Sequence, residues 1–372
     1  MKIYFIGNEF TGLYNNRKEL IEQLIRNGEE VYFSVNENSR NNELVDMGCI
    51  YKNLTIPRKS KNPLKDIGLF LKLLKNIKEV KPDIIMLYNI KPVLYGSTIG
   101  RIKSIPTIAT ITGLGKASQN SNSPGERFFS KLILIMYKFA LKKTESIFFQ
   151  NKYDLEIFKN NKINELKKYT LVTGSGVNVE YFNYSKSFKP NRIKTFLFIG
   201  RFIRTKGIME YIETAIKIKQ QGYNVKFQLL GKFEEQEEIN NLIKELEAEG
   251  TIEYLGYSDD VRKEISKADC VVLPSYTEGM SNVLLQAAAM KRVLIASNIP
   301  GCKEIVEHNL NGYLCEPRST DSLVKAINSL INQGDNDWAN MSENSRRIVV
   351  EKFDKRHVVD SYLKKIYSLG EK

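Results

Sequence analysis

At 372 residues the chain is longer than one hydrophobic core ordinarily organises, so two domains are expected. Its 42% hydrophobic and 27% charged residues, with few prolines and no low-complexity tract, are those of a globular protein and exclude disordered and fibrous classes. The formal charge of +13 falls wholly in residues 1–190, which hold 30 Lys+Arg against 17 Asp+Glu, while residues 191–372 hold 26 of each.

The opening MKIYFIGNEF carries one lysine and an apolar run that ends at Gly7, too short for a secretory signal and without a cleavage site. That run, Ile3–Ile6, is the first of several short segments rich in β-branched and aromatic residues; Glu30–Val35, Ile84–Tyr88, Thr107–Ile111 and Ser146–Gln150 follow as strands. Helical patterns lie between them, Arg17–Asn27 closed by Gly28 and Leu64–Val80 closed before Pro82. Strand–helix alternation implies a parallel sheet covered on both faces.

In the second helix Leu64, Ile67, Phe70, Leu71, Leu74 and Ile77 recur at spacings of three and four, with Lys65, Lys72, Lys75 and Lys78 between them. This basic amphipathic pattern fits a core-facing stripe with a solvated lysine face, and equally a helix lying on an anionic leaflet. Arg127–Lys143 is more hydrophobic and admits the same two readings. Its greasiest part, Leu132–Leu141, is interrupted by Lys138 and falls short of the roughly 20 residues a spanning helix needs.

Lys186, Lys189, Pro190 and Asn191 read as a linker, after which the alternation restarts. Thr195–Ile199, Val225–Leu230, Cys270–Leu273 and Val293–Ala296 are strands, with helices over residues 207–220 and 236–248. The expected fold is α/β: two doubly wound, Rossmann-like domains facing a central cleft, with ligands beyond the carboxyl ends of the strands. The boundaries expected are 1–188, 189–352, and a C-terminal helix over 353–372 that packs back on the first domain.

Cys49, Cys270, Cys302 and Cys315 form no C-x-x-C pair and read as ordinary buried thiols of a reducing compartment. His308 and His357 are the only histidines, and neither has the neighbours of a zinc site or a Ser-His-Asp triad. Asp335-Asn-Asp337 imitates a metal-binding Asp-x-Asp but follows Gly334 between helical segments, so it reads as a turn and helix cap; Ser258-Asp-Asp260 reads likewise.

The informative residues follow the strands. After FLFIG, Arg201 and Lys206 stand at a strand's carboxyl end beside a helix N-terminus, a set suited to a diphosphate. After Cys270–Leu273 a Pro-containing turn presents Glu278, an acceptor suited to sugar hydroxyls. The backbone N–H groups of Gly279, Met280, Ser281 and Asn282 then lie at the positive end of the next helix.

Gly200-Arg201, Lys206-Gly207, Gly231, Tyr254-Leu-Gly256, Ala268-Asp269, Pro274–Gln286, Ser297-Asn-Ile-Pro-Gly301 and Asn311-Gly312 together resemble the donor-binding domain of retaining glycosyltransferases of family 4, which have the GT-B fold. The resemblance implies that Arg201, Lys206 and Glu278 are catalytic, and that Gly200, Gly231, Gly279–Asn282 and Gln286 bind the donor. The family's second acidic residue, which binds the ribose hydroxyls, is replaced here by Gln286; Gln keeps an acceptor oxygen but loses the charge. In the first half, Tyr14-Asn15-Asn16-Arg17 after Gly7 and Gly12, Asn89-Ile-Lys91-Pro92 and Thr112-Gly113-Leu-Gly115 resemble the capsule, O-antigen and lipid-linked-oligosaccharide branch. There the resemblance implies an acceptor side formed by Gly12, Asn15, Arg17, Asn89, Lys91, Thr112, Gly113 and Gly115.

What it implies overall is a metal-independent transferase without a cofactor. Such an enzyme would move an N-acetylhexosamine from a UDP-sugar onto an undecaprenyl-diphosphate-linked glycan, at the inner face of the cytoplasmic membrane. The basic first domain would meet the anionic surface there. A hexose donor, a nucleotide-sugar epimerase of the same fold and a nucleic-acid-binding protein are the alternatives. Nucleic acid fits less well, because the aromatics fall in strands and apolar helix faces instead of interleaving with the cations.

Overall fold

The computed structural model describes residues 1–56, 63–114, 124–183, 188–234 and 236–370. The chain forms two compact units, one made of Met1–Ser175 and the stretch from Arg356 onward, the other of Gly176–Lys355.

The first unit contains β1 (Lys2–Ile6), α1 (Phe10–Arg26), β2 (Glu30–Ser34), α2 (Asn41–Asp46), β3 (Ile50–Tyr51), α3 (Pro63–Val80), β4 (Ile84–Tyr88), α4 (Ile90–Lys103), β5 (Thr107–Ile111), α5 (Pro124–Ala140), β6 (Ser146–Phe149), α6 (Lys152–Asn160) and β7 (Tyr169–Leu171). Its strands pair in parallel in the order β3-β2-β1-β4-β5-β6-β7. β4 and β5 are buried at every position; β4 shows in the sequence as a continuous apolar run, while β5 carries Thr107 and Thr110, whose buried hydroxyls bond to Thr144 and Tyr362. Leu69 and Leu73 of α3, Val93 and Leu94 of α4, and Ile133 and Tyr137 of α5 share one cluster with Tyr4, Ile85 and Ala109 of the sheet. α1 packs on the opposite face.

α1 begins at Phe10, not near Arg17 as expected, because Phe10 and Leu13 prolong the buried stripe of Leu20, Ile21 and Leu24. Gly12 therefore lies inside the helix, and a Cβ there would meet nothing within 4 Å, so no close approach requires glycine.

The second unit contains β8 (Thr195–Ile199), α7 (Ile208–Gln220), β9 (Lys226–Leu230), α8 (Glu237–Ala248), β10 (Glu253–Tyr254), α9 (Arg262–Lys267), β11 (Cys270–Leu273), α10 (Asn282–Ala289), β12 (Val293–Ser297), β13 (Gly312–Cys315), α11 (Thr320–Ile331) and α12 (Asp335–Lys352). Its parallel sheet has the order β10-β9-β8-β11-β12-β13. The Val177 N–H donates to the Phe353 carbonyl at 2.9 Å, and the Lys355 N–H donates to the Val177 carbonyl at 3.0 Å. These bonds tie 176–179 to the end of α12, so the second unit starts at Gly176 and ends at Lys355, where 189 and 352 were expected.

α13 (Lys355–Gly370) follows, and from Arg356 it belongs to the first unit. Its Val358, Tyr362, Ile366 and Leu369 lie in the same cluster as Ile3, Phe5, Phe10 and Leu24, the face that α1 covers.

The four cysteines are free and buried. Asp335 opens α12, the Asp337 carboxylate accepts the Gly334 N–H at 3.2 Å, and Lys194 Nζ lies 2.8 Å from Asp335 Oδ1. The pair of aspartates thus caps a helix. No helix among the described residues is long and apolar enough to cross a membrane.

Candidate active site

Neighbouring parallel strands deliver their following loops to the same sheet edge, and β8 and β11 are neighbours. Lys206 closes the 3₁₀ turn Arg204–Lys206 after β8, and Glu278 sits in the loop after β11. Lys206 Nζ lies 2.6 Å from Glu278 Oε1, and Ser275 Oγ donates to the same oxygen at 2.8 Å. The two groups expected to serve different parts of a donor are therefore paired with each other.

The loops carrying them touch backbone to backbone. Gly207 has a left-handed φ of 73°, and a Cβ on it would stand 2.0 Å from the Pro274 carbonyl oxygen. Gly301, with φ of 84°, would bring a Cβ within 2.7 and 2.8 Å of the carbonyl oxygens of Gly279 and Glu278. Only glycine fits either place, and this explains both at the physical level.

Tyr276 fastens the same loops. Its N–H donates to the Thr205 carbonyl at 3.0 Å, and its hydroxyl donates to Glu210 Oε1 on α7 at 2.6 Å. The Arg318 guanidinium lies 4.8 Å from the ring centroid. Burial, then the hydrogen bond to Glu210, pushes the Tyr276 phenol up to about 12, so it keeps its proton at neutral pH. Sequence reasoning passed over Tyr276, Glu210 and Ser275. The only available signal was that Tyr276 and Ser275 lie within the Pro274–Gln286 segment.

Other expected donor residues fall as follows. Arg201 is exposed, with Nη1 3.6 Å from Glu234 Oε1. The Gly200 N–H donates to the Leu230 carbonyl, and the Gly231 N–H to the Gly256 carbonyl. Met280 packs against the core. Ser281 requires a correction: its N–H donates to the Gly301 carbonyl at 3.0 Å, and its hydroxyl caps α10 by accepting the Leu284 N–H at 3.3 Å. A buried backbone donor in a protein loop must find an acceptor, and here the Gly301 carbonyl is that acceptor. Gly279 lies two residues before Ser281, Asn282 follows it as the first residue of α10, and Gln286 is half-buried one turn into that helix.

In the first unit Asn89 stands between β4 and α4 with φ of 69°. Its Oδ1 accepts the Asn8 N–H at 3.0 Å, and its Nδ2 lies 3.5 Å from Thr112 Oγ1, linking the segments after β1, β4 and β5. Gly113 follows Thr112 with φ of 120°, Asn15 is exposed on α1, and Gly115 lies outside the described residues. Lys91 Nζ pairs with Asp66 Oδ1 of α3 at 2.7 Å. Arg17 is a second correction. It is 2% exposed, and its guanidinium lies 5.0 Å from the Tyr88 ring centroid and 4.9 Å from that of Tyr362. A planar cation between two aromatic faces is stabilised by both, so Arg17 joins α13 to the sheet and does not face a ligand. Among the described residues no group of three or more His, Cys, Asp or Glu side chains could hold a metal ion.

Two family models divide the chain between them. One, described as glycosyl transferase 4-like, matches residues 2–151, and the other, described as glycosyl transferases group 1, matches residues 182–348. The chain is a GT-B-fold glycosyltransferase of the GT4-like family. This transferase is 25% identical over 378 residues to the N,N'-diacetylbacillosaminyl-diphospho-undecaprenol alpha-1,3-N-acetylgalactosaminyltransferase of Campylobacter jejuni, covering 98% of each chain. It is also 25% identical over 314 residues to the capsular polysaccharide biosynthesis glycosyltransferase CapM of Staphylococcus aureus, covering 78% of this chain and 80% of that protein. Among solved structures, the Anabaena protein Alr3699/HepE in complex with UDP-glucose superposes with a TM-score of 0.79 at 18% identity, over 99% of this transferase and 100% of that chain.

Proposed function

We propose that this transferase moves a sugar, an N-acetylhexosamine, from a UDP-sugar to an undecaprenyl-diphosphate-linked glycan in bacterial surface-polysaccharide synthesis. The observation that carries the reading is the end-to-end likeness to the Campylobacter enzyme, whose name specifies an N-acetylgalactosaminyl transfer to a diphospho-undecaprenol-linked sugar. The likeness to CapM points the same way. A lipid-linked acceptor sets the work at the inner face of the cytoplasmic membrane.

In this reading the bond between the anomeric carbon and the diphosphate breaks, and charge gathers on the leaving phosphate. Lys206, Arg201 and the backbone at Gly279 stabilise that charge, with no metal needed. Glu278, released from Lys206 by the incoming diphosphate, accepts hydrogen bonds from the sugar, and Gln286 holds the ribose. The acceptor hydroxyl attacks from the face the phosphate leaves, its proton passes to that phosphate, and the anomeric configuration is retained. Asn15, Asn89, Lys91, Thr112 and Gly113 supply the acceptor side.

The test is a panel of UDP-sugars incubated with the purified protein and an undecaprenyl-diphosphate-linked disaccharide, with and without EDTA. Transfer from one UDP-N-acetylhexosamine, with the α-linkage kept and EDTA without effect, is the expected result. Absence of transfer from every donor, an inverted linkage, or loss of turnover in EDTA would each defeat a stated part of the reading.

A further inference from the structure

Among the described residues, exposed large hydrophobic side chains concentrate on one helix. Phe128, Leu132, Ile135, Met136 and Phe139 of α5 all stand in solvent, Phe128 at 72% and Phe139 at 66%. Their spacing of four, three, one and three places them on a single face. Ile133, Tyr137 and Ala140, on the opposite face, are buried against the sheet. α5 is thus apolar on two sides. Packing on the first unit accounts for the inner side and leaves the outer side unexplained, since contiguous exposed apolar ridges mark interaction sites.

Charge identifies the occupant. Lys131 and Lys138 are exposed and share a strip along one edge of the ridge, and Lys142 and Lys143 follow at its end. Residues 127–143 contain five Lys+Arg and no acidic residue. Two copies meeting through this face would oppose like charges, and an acidic protein surface would leave the phenylalanines without a partner. A phospholipid surface offers both parts at once, an apolar boundary for the ridge and phosphates for the strip. α3, which packs with α5 on the same side of the sheet through α4, also turns Ile67 and Leu71 outward beside Lys72.

We propose that the outer face of α5 seats this protein on an anionic bilayer, with Phe128, Leu132, Ile135 and Phe139 entering the headgroup–acyl boundary and Lys131 and Lys138 meeting lipid phosphates. This deepens the membrane location in the proposed function by naming the face that docks, and rests on that reading only for the location. Vesicle binding requires neither donor nor acceptor, so it succeeds or fails apart from the transfer assay.

The experiment is flotation of the purified chain with vesicles of phosphatidylcholine alone or mixed with phosphatidylglycerol. The wild type should bind the mixed vesicles at least tenfold more tightly than the neutral ones. Ile135→Ser with Phe139→Ser should lose at least tenfold in that affinity, and Lys131→Glu with Lys138→Glu should lose the preference for phosphatidylglycerol. All these positions are exposed, so circular dichroism melts should stay at the wild-type temperature, and Val350→Ser, an exposed apolar position on α12, should bind as the wild type does. Equal binding by the wild type and the Ile135/Phe139 variant, or none by the wild type, overturns the proposal. So does a wild-type dimer in lipid-free buffer that the same variant abolishes, which would assign the face to a second copy.

Discussion

Lys206 and Glu278 hold opposite charges 2.6 Å apart with side chains only 25% and 11% exposed, so the cost of desolvating both offsets much of their attraction and the pairing adds little net stability. A diphosphate brings more negative charge to the lysine than one carboxylate does, so in our reading the donor takes over Lys206 and frees Glu278 for the sugar. Replacing Lys206 or Arg201 with Ala should lower kcat at least about a hundredfold, the scale on which an oriented charge at a leaving group acts. The Lys206 variant should also melt within a few degrees of the wild type; steady-state kinetics and a thermal melt check both. Gln286→Glu should leave the donor KM unchanged or lower it, since the change restores a charged acceptor without altering length. A large rise in donor KM would contradict a ribose role. Tyr276→Phe removes the hydrogen bond on Glu210 Oε1, and because Glu210 Oε2 already lacks a partner the buried carboxylate is left unsatisfied, costing about 1–3 kcal/mol. Because Tyr276 also spans both loops, donor KM should rise in that variant.

At the scale of elements, the donor loops are fixed by contact between backbones, and side chains play the smaller part. Gly207→Ala would drive a Cβ into the Pro274 carbonyl and force a residue into the left-handed region. The expected result is a loss of about 1–3 kcal/mol in urea unfolding, with donor binding weakened as Lys206 shifts from Glu278. Isothermal titration with UDP reads the second effect. The strands that position these loops could be located from sequence because each is a short apolar run bounded by turn residues. Cys270–Leu273 and Thr195–Ile199 match residue for residue. β3 and β10, two residues each at sheet edges, carry no run to detect. The start of α1 was missed because Glu9 makes no side-chain cap, so nothing local announces the helix before its buried stripe does.

At the scale of the whole molecule, α13 returns to the first unit and buries Val358, Tyr362, Ile366 and Leu369 there. At about 1.5–3 kcal/mol for each buried side chain, the helix supplies an amount comparable to the stability of a typical domain. A chain truncated after Lys355 should therefore lose the cooperative unfolding of its first unit, measured by circular dichroism. Arg17→Met, which keeps the volume but removes the cation between Tyr88 and Tyr362, should cost about 2 kcal/mol in urea unfolding and leave donor KM unaltered.

The sequence by itself determined the alternation of strands and helices, the two-unit α/β plan, the family, and the residues at the ends of β8 and β11. All of these depend on local runs, turn chemistry and spacing, which chain order preserves. Only the tertiary structure decided that Arg17 is buried between two rings, one of them 345 positions along the chain from it, that Lys206 answers Glu278, and that the Ser281 N–H is taken by Gly301. It also decided which side of α5 is inward. Each of these is a choice of partner among groups distant in sequence, made by packing, and a one-dimensional pattern contains no record of which distant group arrives.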